Sequence, residues 1–292
     1  MIMKETTENW IEAFLQYAQM KRWSINTIST YSTAIKMFKC AFPNLRLKEI
    51  SDDKILNYLI AITGTSNRCT HHSAIKCLYN KVFHYPFKMR YIEYPVKEDK
   101  IPDHVTTEDF LKIISAASNI KHKAILLLTY DCGLRVSEVI NMKLSDVDGA
   151  NMNVKVVQGK GKKDRLLKLT KYTLELLRAY YKQYKPAFWL FQNDATHKQY
   201  SIRSCQELFK TACNKAGVVN YKFHALRHGF AMALYEKGGY SLETIRDLLG
   251  HKSVETTQVY ARKNNNVIQL TQSPLELIVS QKIFEKPLQL IA

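Results

Sequence analysis

The sequence predicts a mainly α chain with a small β-sheet: an all-α N-terminal domain followed by an α+β C-terminal domain. Three observations carry this. Apolar residues recur at helical period up to about residue 91, and a stretch rich in proline and charge, with no such period, follows. Beyond it, two short β-like runs flank a glycine- and lysine-rich turn inside an otherwise helical pattern.

In chain order, Trp10, Phe14, Tyr17 and Ala18 mark a first helix, and Thr27, Tyr31, Ile35 and Phe38 a second. Ser51-Asp52-Asp53 caps a third that carries Ile55, Leu56, Leu59 and Ile60. Residues 63–67 (Thr-Gly-Thr-Ser-Asn) break it, and a fourth helix is expected from about Arg68 to Phe83. Residues 91–102 hold two prolines and five charges, and Pro95 and Pro102 push the residues before them towards extended backbone. The expected division is therefore a domain at 1–97, a linker to about 102, and a second domain over 103–292. In that second domain Thr106-Thr107-Glu108-Asp109 opens a helix, and 121–130 is an apolar, buried one. Residues 154–157 and 165–169 read as strands of a hairpin whose turn is Gln158-Gly159-Lys160-Gly161-Lys162-Lys163-Asp164. The remainder reads as helical to about Arg262. In the tail, 267–292, Leu275, Ile278, Val279 and Ile283 stand at helical spacing and suggest an amphipathic helix that needs a partner surface.

The 292 residues fit one large domain or two ordinary ones, and a 46% hydrophobic content is enough for a buried core. Lys and Arg number 43 against 26 Asp and Glu, a net charge of +17. Such an excess disfavours compaction unless a polyanion compensates it, and nucleic acid is the first candidate. No apolar run approaches the roughly 18 residues of a membrane span, and Met1-Ile2-Met3-Lys4-Glu5 lacks the apolar core of a secretory signal. The six cysteines are scattered without a C-x-x-C pair, so they read as reduced, mostly buried residues of a cytoplasmic protein.

Four clusters in the second domain can carry chemistry: Cys132-Gly133-Leu134-Arg135-Val136-Ser137-Glu138, the hairpin Lys160, His224-Ala225-Leu226-Arg227-His228, and Leu248-Leu249-Gly250-His251, with Tyr260 nine residues after that last histidine. Singly, each has an ordinary reading. An arginine at a helix start is usually a surface ion pair, and a turn lysine is usually solvated. His224 and His228 have zinc-like i, i+4 spacing, but Ala225 stands where the helical zinc hydrolases carry glutamate, so no metal site is expected.

Together and in this order, these pieces resemble the tyrosine recombinase (phage integrase) family, in particular its Xer-like branch. The resemblance rests on Gly-Leu-Arg-Val-Ser-Glu at 133–138, Gly-Lys-Gly-Lys-Lys-Asp-Arg at 159–165, His-x-Leu-Arg-His at 224–228, Leu-Leu-Gly-His at 248–251 and Tyr260. The N-terminal helices with Thr27-x-x-x-Tyr31 are similar to the family's core-binding domain. The resemblance implies a two-domain clamp on DNA and a site-specific recombinase that cuts one strand at a time. Tyr260 would attack the phosphodiester to give a 3′-phosphotyrosine and a free 5′-hydroxyl, with exchange running in pairs through a Holliday junction. Arg135 and Arg227 correspond to the family's paired arginines, whose planar forks match phosphate oxygens. Lys160 corresponds to the acid that protonates the leaving 5′-oxygen, and His224 and His251 to the two remaining positions, with their shares of the proton transfer left open. The phosphotyrosine stores the bond energy, so no cofactor is implied. No carboxylates cluster as if to hold Mg²⁺. Cys132 stands where threonine is common in the family, and Gly238-Gly239 loosens a later turn; neither removes a catalytic position.

Arg68, Thr70, His71 and Lys76 lie at the start of the expected fourth helix, where DNA contact and a solvated helix face are equally compatible with the sequence. The family implies self-association into a tetramer on two double-stranded DNA sites. The tail helix would dock on a neighbouring protomer or fold back on its own domain. Two further classes remain: a catalytically idle DNA-binding accessory protein, and a type IB topoisomerase-like relaxing enzyme. The intact residue set argues against the first, and the Xer-like N-terminal domain and short length against the second.

Overall fold

The computed structural model describes residues 10–85, 89–96, 103–157, 164–236, 239–250 and 257. The chain divides into two compact units, Met1–Asp99 and Lys100–Ala292. Tyr260, Lys160, His251 and the tail over 267–292 lie outside the described residues.

Unit 1 is helical. Helix α1 (Trp10–Met20) and α2 (Ile25–Ala41), the latter capped by the Ser24 hydroxyl, bury Trp10, Phe14, Ala18, Ile35 and Phe38. Helix α3 (Asp52–Ala61) begins at the Ser51 cap, as the sequence reading expects, and buries Ile55 and Leu59, while Leu56 and Ile60 face outward. Helix α4 (Thr65–Cys77) starts three residues before the expected Arg68. The supposed breaker is only Gly64, whose φ of +80° lets the chain turn once and whose carbonyl accepts the Arg68 N–H at 3.0 Å. A π-helical turn over Leu78–Val82 continues α4.

Residues 89–96, which take in the first half of the proline- and charge-rich stretch that starts at 91, are tied onto α4. Met89 and Ile92 are buried, His72 Nε2 lies 3.1 Å from the Ile92 carbonyl, and Cys69 Sγ donates to the Pro95 carbonyl at 3.5 Å.

Unit 2 is built around α6 (Ile120–Cys132), which is buried on nearly every side and starts at an Asn119 cap. Helix α5 (Thr107–Ala116) precedes it and the short α7 (Val136–Ile140) follows. Strands β2 (Asn153–Val156) and β3 (Arg165–Lys168) pair antiparallel with Val154 opposite Leu167, and put Val154, Val156 and Leu167 into the core. A third strand, β1 (Val147–Asp148), pairs with β2; at two residues it is too short to show a period.

Helix α8 (Lys171–Tyr184) ends at Lys185 in left-handed backbone (φ +42°), followed by Pro186. The segment up to α9 (Ile202–Ala216) is not helical, contrary to the sequence reading. It forms isolated bridges between Lys143 and Trp189 and between Gln192 and Gln199, and inserts Leu190 and Phe191 into the core. The buried Lys121 anchors it by donating to Asp194 at 2.6 Å and to the Gln192 carbonyl at 3.3 Å, with its ammonium over the Tyr184 and Tyr200 rings. Helices α10 (His224–Glu236) and α11 (Leu242–Leu249) complete the described unit. Among the described residues no helix is long and apolar enough to cross a membrane. All six cysteines are unpaired, and four of them are buried.

Candidate active site

Three arginines and one glutamate, from segments far apart in sequence, meet in unit 2. Helix α6 stops at Gly133, in left-handed backbone (φ +58°), and any side chain there would run into Phe230 of α10: a Cβ would lie 2.3 Å from its Cδ1. The close approach lets the Gly133 carbonyl accept a hydrogen bond from Arg227 Nη1 at 2.7 Å.

Arg135 stands just before α7, and Glu138 reaches back over that helix's N-terminus, where a carboxylate offsets both the orphan amides and the dipole. Glu138 Oε2 accepts the Arg135 main-chain N–H at 2.9 Å, and Oε1 accepts Arg135 Nη1 at 2.8 Å. Arg165, the first residue of β3, donates from Nη1 to Oε1 at 3.1 Å and from Nη2 to Oε2 at 2.9 Å. Four hydrogen bonds thus fill the acceptor capacity of one carboxylate. Arg227 Nη1 lies a further 3.7 Å from Oε2. Burial alone would raise the Glu138 pKa, but the Arg165 bonds and charge, the Arg135 N–H and Arg227 outweigh it and bring it from 4.5 down to about 2.

The same three guanidiniums also hold the end of α11. Arg165 Nε donates to the Leu248 carbonyl at 2.8 Å, Arg227 Nη2 to Leu249 at 2.6 Å, and Arg135 to Leu249 and Gly250 at 3.5 and 3.3 Å. Cations suit a helix C-terminus, and Gly250 closes this one in left-handed backbone (φ +64°). Three guanidiniums against one carboxylate leave two positive charges beside the residue that precedes His251.

The arginines are not equivalent. The side chain of Arg227 is 1% exposed, that of Arg165 9% and that of Arg135 25%. Arg135 also makes the longest bonds to α11, so an incoming phosphate can replace those two carbonyls with the least loss.

His224 opens α10, one turn before Arg227, and its ring meets that of His228 edge-on at 4.6 Å. It keeps a solvent-facing edge, yet the surrounding protein desolvates the imidazolium, and Arg227 and Arg135 repel it, so its pKa lies below 6.5 despite the opposing pull of Glu138. The neutral ring is then able to accept a proton. Burial, with His224, Arg227 and His104, drives His228 down to about 4. His224 also lines an open groove of about 530 Å³ whose walls mix the apolar Val136, Tyr221 and Phe223 with the polar Gln206, Lys210 and Lys222.

Of the residues singled out in the sequence, Arg135, His224 and Arg227 thus stand in one neighbourhood, while Lys160, His251 and Tyr260 fall outside the described residues. The sequence reading passed over Glu138 and Arg165, although both lie in the motifs it quoted. A carboxylate looks out of place among arginines expected to meet phosphate until it is seen to hold those arginines, and Arg165 is one of five charges in its motif.

In unit 1, Arg68 Nη2 donates to the Ile60 and Ile62 carbonyls at 3.2 and 3.1 Å, which closes the end of α3. His71 is buried with Nδ1 3.0 Å from the Tyr58 hydroxyl, and burial lowers its pKa. Thr70 Oγ1 donates to the Ser66 carbonyl at 3.1 Å, and Lys76 is exposed. Three of the four side chains are thus bonded within the fold, and Lys76 extends into solvent.

A model described as the phage integrase family matches residues 103–266, more than half of the chain. The chain belongs to the phage integrase family. Its enzymatic class is that of the tyrosine-type site-specific recombinases. A tyrosine recombinase of Thermosipho africanus is 30% identical over 269 residues, spanning 86% of this chain and 93% of that one. The crystal structure of the XerH site-specific recombinase in a post-cleavage complex with a palindromic difH substrate shares the fold of this recombinase. It superposes with a TM-score of 0.77 at 20% identity and covers 97% of this chain and 98% of that one. A lambda integrase tetramer bound to a Holliday junction gives a TM-score of 0.74 at 20% identity, covering 88% of this chain and 78% of that one.

Proposed function

We propose that this recombinase cuts and rejoins DNA through a 3′-phosphotyrosine formed on Tyr260. A phenol of pKa near 10 costs about 4 kcal/mol to ionise at pH 7, three units at about 1.36 kcal/mol each. The neutral imidazole of His224 takes that proton, while Arg135 and Arg227 stabilise the charge on the non-bridging oxygens. The P–O5′ bond breaks as the O–P bond to tyrosine forms, and Lys160 gives its proton to the departing 5′-oxygen. General acid catalysis of this kind contributes roughly 10²–10⁴-fold. His251 donates a hydrogen bond to the phosphate. Attack by a partner strand's 5′-hydroxyl reverses the step and rejoins the DNA.

The observation that carries this reading is the meeting of Arg135, Arg165 and Arg227 at the carbonyl end of α11, on the segment that leads to His251 and Tyr260. The groove beside His224, with Lys210 and Lys222 on its walls, fits the backbone of a duplex running past the site. The N-terminal domain at 1–97 adds its own DNA contacts, with Lys76 as a phosphate contact. Strand exchange between two specific double-stranded sites takes four protomers, the assembly for which the lambda integrase complex is named. We place the tail at 267–292 against a neighbouring protomer and the protein in the cytoplasm, with its DNA. If synaptic assembly survives unchanged when the chain is cut from Ser273 onward, the tail does not dock in trans.

A substrate nicked close to the cleavage point traps the intermediate. The expected result is a denaturant-stable protein–DNA adduct that disappears in Tyr260→Phe. An idle accessory protein gives none, and a relaxing enzyme gives the adduct and removes supercoils without recombining two sites.

A further inference from the structure

Arg165 belongs to none of the catalytic roles above, yet its guanidinium makes three hydrogen bonds within the site, each of 3.1 Å or less. Its guanidinium uses three edges within the protein: both oxygens of Glu138 on α7, and the Leu248 carbonyl on α11. Its side chain is nearly buried, so it does not present itself to DNA. We propose that Arg165 is a positioning residue that fixes the phosphate-binding guanidiniums. It clamps Glu138 in the one orientation that holds Arg135, and seats the end of α11 against which Arg135 and Arg227 rest.

The geometry gives the reason. Glu138 binds Arg135 through both the main chain and the side chain, at 2.9 and 2.8 Å, so the direction of the Arg135 fork follows the carboxylate plane. Two side-by-side bonds from Arg165 set that plane, which a single bond cannot do. Arg165 also supplies the Leu248 contact, the first of three successive carbonyls that the arginines hold, and so keeps Leu249 and Gly250 within reach of Arg227 and Arg135. Lysine, a point charge on a flexible stem, keeps the charge but loses the fork and one of the two directions. Glu138 and Arg165 thus act as a frame, and Arg135 acts on the substrate.

This inference rests on the proposed role of Arg135 and Arg227 in stabilising phosphate charge, and its test separates the two. Single-turnover cleavage is compared on a nicked duplex carrying either the ordinary scissile phosphate or a methylphosphonate, which lacks the non-bridging negative charge and so needs a guanidinium less. Arg165→Lys is expected to slow cleavage of the phosphate about 10²-fold, the scale of losing one preorganised donor, and that of the methylphosphonate less than about 10-fold. Duplex affinity should stay within about twofold, because Arg165 does not face DNA. An equal loss on both substrates, or no loss on either, overturns the positioning role. Arg135→Ala is the control: if its own penalty fails to shrink on the methylphosphonate, the reading of Arg135 as a phosphate ligand fails first. Should Arg165→Lys not fold, Arg165→Gln, which keeps an N–H donor for the Leu248 carbonyl, carries the same comparison with the same two outcomes.

Discussion

Replacing Glu138 by glutamine removes one charge and almost no volume, yet it should be among the costliest single changes in unit 2. The wild-type carboxylate is held at about 2 against an ordinary 4.5. At about 1.36 kcal/mol per unit, that difference amounts to roughly 3 kcal/mol of folding free energy at neutral pH. The side chain is 9% exposed, so solvent screens little of it. Breaking a buried pair from one side typically costs about 3–5 kcal/mol, which agrees. The amide also points an N–H₂ at guanidiniums that have nothing to offer it. Because the folded pKa is depressed, the stabilisation is complete above about 4.5 and is lost as the pH falls towards 2. Native-state hydrogen exchange of the α6 and α10 amides reads the free energy of unit 2 within the full chain. The wild type should exceed Glu138→Gln by about 3 kcal/mol at pH 7 and by about 2 kcal/mol near pH 3.5. A gap under about 1 kcal/mol at neutral pH would refute the reasoning, and so would one that widens as the pH falls.

Three further outcomes follow from the same contacts. Gly133→Ala places a side chain in left-handed backbone and against Phe230, so unit 2 should lose about 2–4 kcal/mol by the same exchange measurement; a change below about 0.5 kcal/mol contradicts the packing argument. The proposed base role of His224, whose pKa lies below 6.5, predicts that the rate of adduct formation at limiting DNA falls with decreasing pH through an inflection below 6.5; an acid limb centred above 7 excludes this role. In unit 1, Lys76→Ala should weaken DNA binding about equally on all sequences and lower the salt slope by about one. Arg68→Ala should instead destabilise the unit by about 1–3 kcal/mol, since it frees the carbonyls at the end of α3; reversed effects on melting and on salt-dependent affinity sink the assignment.

Much of the fold could be read from pattern. The α3 cap at Ser51, the buried run of α6 and the two principal strands follow from capping chemistry and period, which are local. What escaped was set by tertiary contact. The non-helical passage after α8 exists because Leu190 and Phe191 enter the core and Lys121 ties down Asp194, and no local signal records either event. The start of α4 differs from the expected Arg68 because one glycine, Gly64, makes the turn and residues 65–67 are already helical. At the site, the motif order named Arg135, His224 and Arg227, which do converge. Glu138 and Arg165 escape a local reading for a physical reason: they bond to each other across 27 residues, and Arg165 reaches the Leu248 carbonyl 83 residues away in the chain. The conflict at Arg68 and His71 is similar. Exposure, not residue type, decides whether a basic side chain is available to DNA.

The account depends most on one side chain serving the charged centre that the three arginines build. Tandem mass spectrometry of the nuclease- and protease-digested adduct identifies the amino acid joined to DNA and the end to which it is joined. The account predicts a phosphodiester from Tyr260 to a 3′-end, with a free 5′-hydroxyl on the released strand. Attachment at any other residue, or through a 5′-phosphate, contradicts it.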